Sequence, residues 1–106
     1  MLKFNNTYQN HPYKTRLLDT EIYARRKSTK GMSQYALAEK IGVSRNCIYL
    51  LECHAHIPKI ETIYDIMIAL GFSAEERGAF LEKYMDACHK DKAFQQEHEK
   101  ELAGAI

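Results

Sequence analysis

Two groups of side chains in this sequence of 106 residues are of types that could bind a ligand. In the first, Arg45, Asn46, Tyr49 and Leu50 would share one face of a helix that turns about 100° per residue. Arginine can donate two hydrogen bonds to guanine O6 and N7, asparagine can pair with adenine N6 and N7, and an apolar side chain can meet a thymine methyl. This face therefore fits a reader of the DNA major groove, although solvated side chains in a first helical turn show the same pattern.

The second cluster consists of Cys53, His54 and His56, with Cys88 far downstream. Thiolates and imidazoles are ligands that Zn²⁺ favours. The spacing contains no C-x-x-C pair, however, and Cys88 falls on an apolar stripe where a small core residue is expected. We expect no metal site and no other cofactor.

Local signals predict the two helices that would position the first cluster. Ser33 is a good N-cap for helix 2, and Gly42 suits the left-handed position that follows a helix. Ser44 is the N-cap of helix 3, which the pattern starts at Arg45 and ends at residue 52 or 53. Two helices joined by a turn of about three residues are typical of a helix-turn-helix.

Three further helices complete the predicted fold. Helix 1 spans about residues 13–29, Pro58 opens helix 4, and Ser73 with Glu76 forms a capping box for helix 5. Helix 5 then carries an amphipathic stripe made of Phe80, Leu81, Tyr84, Met85 and Cys88. Beyond Lys92 the apolar pattern thins, so that end is helical, frayed or disordered. Because no useful stretch alternates with a period of two, we expect an all-α fold of five compact helices.

Composition and charge favour one small globular domain. Apolar residues make up 45% and charged residues 27% of the sequence, and the formal net charge is +1. The charge is unevenly distributed, with a net +5 in residues 1–30, +1 in residues 31–60 and −5 in residues 61–106. We divide the chain into an arm at 1–12, a helix-turn-helix region at 13–72, and an amphipathic helix with an acidic tail at 73–106.

Several classes of protein are disfavoured by the sequence. The longest apolar run, residues 66–70, is far shorter than the roughly 20 residues that a membrane-spanning helix needs. Three cysteines cannot all form pairs, and the first residues lack an apolar signal region, so we expect a cytoplasmic protein that contacts no membrane. No glycine-rich phosphate loop or nucleophile motif is recognisable, so we do not expect an enzyme.

The helix 2 and helix 3 region, followed by a proline six residues after Glu52, reads GMSQYALAEKIGVSRNCIYLLE. It resembles the helix-turn-helix of the Cro and lambda-repressor family, also called the xenobiotic-response-element (XRE) type. The resemblance covers about residues 22–72 and implies a bundle that places helix 3 in the major groove, usually as a dimer. It also implies base contacts from Arg45, Asn46, Tyr49 and Leu50, and phosphate contacts from Gln34, Ser44 and Lys59. The core positions that it implies are Leu37, Ala38, Ile41, Val43, Ile48 and Leu51.

The sequence departs from this family pattern at two places. His54 stands where the family has a glycine in a left-handed conformation, which is costly for a residue with a Cβ. One extra residue lies between the apolar positions of helix 1 and Gly31. The family's usual arginine position therefore falls on either Arg25 or Arg26.

The hypothesis that follows is a sequence-specific DNA-binding transcriptional regulator that acts as a homodimer on an inverted repeat. Helix 5 is the candidate dimer element, with Phe80 and Tyr84 turned inward and Leu81 and Met85 turned toward a partner. The alternative is an antitoxin-type interaction module, in which the acidic C-terminal segment binds a partner protein.

Overall fold

The computed structural model describes the backbone of residues 11–104 and the side chains of residues 11–97. The helices are α1, built from the consecutive segments Pro12–Leu17, Leu18–Tyr23 and Ala24–Ser28, then α2 (Gln34–Ile41), α3 (Arg45–Glu52), α4 (Ile60–Ala69) and α5 (Ala74–Gly104). No strand occurs in the described backbone. The predicted all-α architecture of five helices is confirmed, whereas most of the predicted arm at 1–12 lies outside the described residues.

All five helices contribute to one apolar core. Its most enclosed apolar side chains, each at most 1% exposed, are Ile22, Leu37, Ile48, Ile63, Ile66, Met67 and Phe80. Of the predicted core positions, four are buried: Leu37, Ala38, Ile48 and Leu51. Ile41 and Val43 are half-buried and pack against the edge of the core. The core therefore fixes α2 and α3 against the other helices through their apolar faces.

The middle segment of α1, Leu18–Tyr23, is a π-helical turn. Its wider winding shows at Ala24, whose N–H donates to the carbonyl of Asp19 five residues earlier. A π turn accommodates one residue more than an α turn within an otherwise continuous helix. It explains the extra residue in helix 1 and leaves Ile22 and Arg26 on the buried side.

The N-terminus of α1 is capped by a residue that lies far away in the sequence. The carboxylate of Asp91, on α5, accepts hydrogen bonds from the backbone N–H groups of Tyr13 at 2.8 Å and Lys14 at 3.1 Å. Asp91 is only 1% exposed. Its negative charge also lies at the positive end of the α1 dipole, so this contact joins the two longest helical stretches of the domain.

The beginnings of α4 and α5 show one difference from the sequence prediction and one agreement. Pro58 does not open α4, because Lys59 is extended with a ψ of 154° and its carbonyl accepts the first bonds of the helix, from the N–H groups of Thr62 and Ile63. The capping box of α5 is confirmed by reciprocal bonds between Ser73 and Glu76 at 2.9 and 3.1 Å. The helix then continues through the region beyond residue 92, whose state the sequence left open, to residue 104.

Candidate nucleic-acid interface

Two serine caps and one glycine hold α2 and α3 in their relative orientation. The hydroxyl of Ser33 accepts from the N–H of Ala36 at 3.0 Å, and that of Ser44 accepts from the N–H of Cys47 at 3.2 Å. Between the helices, Gly42 has a φ of +79°, a conformation that glycine adopts without a Cβ penalty. These short-range features mark the ends of the two helices, and the sequence prediction of their boundaries is confirmed.

The inner and outer faces of α3 differ sharply in exposure. Ile48 is fully buried and Leu51 is 3% exposed, whereas Arg45 and Asn46 are exposed and Tyr49 retains 40% of its accessible surface. Leu50, at the edge of this face, is half-buried. These four residues form the outer face of α3. The structure places them together, and the guanidinium of Arg45 lies 6.0 Å from the ring centroid of Tyr49.

A buried polar network anchors the end of α3 to α1 and α2. Arg26 donates from Nε and Nη2 to the two carboxylate oxygens of Glu52 at 2.5 and 2.9 Å, and from Nη1 to the carbonyl of Met32 at 3.0 Å. Gln34 Nε2 donates to Glu52 Oε1 at 2.8 Å. The side chains of Arg26 and Glu52 are only 9% and 6% exposed. The paired charges satisfy each other, and the network fixes where α3 ends.

This network decides between the two arginines that the sequence left open. Arg26 is the buried one, and Arg25 points instead toward α5. There, Arg25 donates to Glu76 at 2.8 Å and stacks 4.1 Å from the ring centroid of Phe72. The hydrogen bond from Arg25 is the main reason that the pKa of Glu76 is lowered from its ordinary value.

Of the three residues expected at phosphates, Ser44 and Gln34 lie next to α3. Ser44 is the N-cap residue of α3. Half-buried Gln34 contacts the C-terminal end of α3 through its hydrogen bond to Glu52. Lys59 is exposed and is the N-cap residue of α4. Sequence reasoning missed two neighbours, Tyr23 and Lys27. Together with Gln34, Tyr49 and others they line an open hollow of about 350 Å³. Their spacing of four residues on α1 was the available signal, but only the packing shows that they lie beside α3.

His54 has the left-handed conformation that the sequence predicted, with a φ of +64°. Its N–H donates to the carbonyl of Leu51 and the next N–H, of Ala55, donates to that of Leu50, so the loop closes the end of α3. The imidazole Nε2 lies 2.8 Å from both carboxylate oxygens of Asp19 on the π turn. This partner lies 35 residues away and was not predicted from local sequence patterns.

The second chemical cluster of the sequence does not assemble with Cys88. Cys53 and Cys88 are half-buried free cysteines on α3's end and on α5, and His54 contacts Asp19. Within the residues whose side chains are described, no group of three or more His, Cys, Asp or Glu could hold a metal ion. No helix in the described part of the chain is long and apolar enough to cross a membrane.

Comparison with known proteins gives one match. No curated protein and no solved structure matches the chain significantly. A family model described as helix-turn-helix matches residues 22–77, which is more than half of the chain. The matched segment runs from the π turn of α1 to the first turn of α5 and contains the whole outer face of α3. By its fold, its capped helix pair and this match, the chain belongs to the helix-turn-helix family of the Cro and XRE type, a family of DNA-binding regulators.

Proposed function

We propose that this protein is a sequence-specific transcriptional regulator that inserts α3 into the major groove of double-stranded DNA. The observation that supports this most directly is the exposure of Arg45, Asn46 and Tyr49 on one side of a helix whose other side is buried in the core. A helix held rigidly by its inner face can present hydrogen-bonding groups to base edges in a fixed geometry.

The roles we assign follow from the chemistry of each side chain. Arg45 would donate to guanine O6 and N7, Asn46 would pair with adenine N6 and N7, and Tyr49 with Leu50 would meet a thymine methyl. Ser44, Gln34 and Lys59 would contact phosphates on either side and fix the register. The net +5 of residues 1–30 would add sequence-independent attraction to the phosphate backbone.

We further propose a homodimer on an inverted repeat. A single unit makes few contacts, and two units about 34 Å apart would read successive major grooves on one side of the duplex. The support comes from α5, where Met85 is 64% exposed and shares one side of the helix with half-buried Leu81 and Cys88. Leu81 also packs against the core, so Met85 is the residue through which the interface can be tested without disturbing the fold.

The base-reading role is tested by comparing two alanine substitutions on DNA selected from a random pool. Arg45→Ala should cost about 1 to 3 kcal/mol on the selected site and relax the preference at one base pair. Lys59→Ala should weaken all sequences about equally and lower the slope of log K against log salt by about one. Lys92→Ala, an exposed lysine on α5, is the matched control. Unchanged specificity in Arg45→Ala would show that α3 is not the reader.

The dimer is tested by sedimentation of Met85→Lys. A buried, unpaired ammonium is costly, so this variant should become a folded monomer that binds half-sites weakly. Ala79→Lys adds the same charge to an exposed position on the side of α5 that faces α1, and it should remain a dimer. A Met85→Lys protein that stays dimeric would place the interface elsewhere.

The second candidate function is the antitoxin-type module, and the length of α5 is what favours it. Gln95 of α5 contacts His11, the residue before α1, and the helix continues from there to residue 104 through an acidic sequence. In this alternative, the segment would bind a partner protein while α3 binds DNA. A small protein that copurifies with the chain, and is lost when residues 97–106 are removed, would support this alternative.

A further inference from the structure

The two places where the sequence departs from its family meet in the structure. The extra residue of helix 1 is taken up by the π turn Leu18–Tyr23, and the residue that replaces a glycine is His54. Asp19 on the π turn places both carboxylate oxygens 2.8 Å from His54 Nε2. The π turn also packs directly against α3. The two departures are therefore connected, because the π turn supplies Asp19 and the glycine replacement supplies His54 to the same contact.

The contact acts on the C-terminal end of α3, the helix that carries the outer face. His54 comes two residues after Glu52, and its left-handed backbone allows Ala55 N–H to donate to the Leu50 carbonyl at 2.9 Å. A glycine would adopt this conformation without a Cβ and without any side-chain partner. The left-handed conformation costs histidine more than glycine, but the imidazole of His54 contacts Asp19 on α1. The side chains of the pair are 24% and 40% exposed, so the contact sits at the edge of the protein surface.

The end of α3 is thereby attached to α1 at two points. Glu52 is held by Arg26, and His54 is held by Asp19, seven residues earlier on α1. Seven residues of helix span roughly 10 Å along the axis. The core already holds the inner face of α3, and two separated attachments to α1 restrict the direction of the helix end further than one attachment would. Because base contacts require accurate placement of side chains, that direction matters for reading DNA.

We propose that Asp19 is a positioning residue for DNA recognition: through His54, it holds the C-terminal end of α3 in place against α1. This inference rests on the proposed function. Asp19 touches no DNA in this scheme, and its contribution reaches the DNA only through the imidazole. A partly exposed pair contributes modestly, so losing it should weaken binding to the selected site about two- to fivefold.

The test is a set of variants measured for affinity toward the selected duplex and a random duplex. Asp19→Ala should lose affinity for the selected site while keeping affinity for random DNA, and the nearly isosteric Asp19→Asn should lose less, because its side-chain amide can still hydrogen-bond to the imidazole. In the His54→Gly background, Asp19→Ala should change nothing further, since no imidazole remains to be held. Glu21→Ala is the matched control, because Glu21 leaves the same π turn with the same charge but pairs with Lys83 on α5 at 3.1 Å. It should leave the ratio of the two affinities unchanged.

Hydrogen exchange of the same variants separates this inference from the proposed function. The Ala55 and His56 amides, which both donate to the Leu50 carbonyl, should exchange faster in Asp19→Ala and not in Glu21→Ala. Unchanged exchange, or an equal loss of affinity for both duplexes, would overturn the positioning role. A wild-type protein that prefers no sequence would overturn the proposed function instead, and the exchange rates would still show whether Asp19 holds the end of α3.

Discussion

Replacing Glu52 by glutamine should destabilise the domain strongly, because it removes one charge from a buried pair and leaves the other. Arg26 is 9% exposed at its side chain and has two acceptors, the Glu52 carboxylate and the Met32 carbonyl. Breaking a buried pair by removing one partner costs about 3 to 5 kcal/mol. Glutamine preserves the shape and one acceptor oxygen, so we expect the lower end, about 3 kcal/mol. That is a large part of the roughly 5 to 15 kcal/mol that stabilises a typical domain.

The assay is urea unfolding followed by circular dichroism. With an m value of about 1.5 kcal/mol/M, the midpoint should fall by roughly 2 M. The control is Glu76→Gln, which makes the same chemical change in the exposed pair with Arg25 and should leave the midpoint almost unchanged. Replacing both partners, Arg26→Met with Glu52→Leu, should be less damaging than Glu52→Gln alone, since no unpaired charge stays buried. If Glu52→Gln shifts the midpoint no more than the control does, burial of the Arg26–Glu52 pair does not explain its contribution to stability.

Three further predictions concern stability. Asp91→Ala removes the acceptor for two N–H groups of α1 and should cost about 1 to 3 kcal/mol in urea unfolding, whereas Asp86→Ala, exposed on the same helix, should cost under about 0.5 kcal/mol. Burial raises the pKa of Tyr84 to about 12, so the stability contributed by its neutral form is present below the unfolded pKa of 10 and is lost as pH rises toward 12. Wild-type protein should therefore lose more stability than Tyr84→Phe between those two pH values, and equal losses would contradict the assignment. An added Cβ meets nothing within 4 Å at either Gly42 or Gly78, so the effect of an alanine substitution on stability depends only on the backbone conformation. Gly42→Ala, at a φ of +79°, should destabilise by about 1 to 2 kcal/mol in thermal melts, and Gly78→Ala, inside α5, should stabilise by about 1 kcal/mol; equal signs would refute the reasoning.

The sequence by itself determined the features that depend on neighbours within a few residues. Ser33, Ser44 and Ser73 cap helices through bonds to residues three positions later, and a cap of this kind is readable because both partners lie in one window of sequence. The apolar spacing of α3 likewise predicted that Ile48 and Leu51 face the core, because helical periodicity fixes which residues share a face.

Only the tertiary structure decided contacts between residues that are distant in sequence. Periodicity could not show whether Arg25 or Arg26 is the buried arginine. The π turn shifts the register of α1, and no local pattern marks where such a turn lies. No local pattern marks Asp91 as a helix cap, because the two backbone N–H groups that it accepts from belong to the start of α1. The family resemblance predicted a left-handed residue 54, but its side-chain contact with the carboxylate of Asp19 depends on how the helices pack. Local signals set the helices and their faces, whereas the pairing of charges across helices follows from burial, which exists only once the chain has folded.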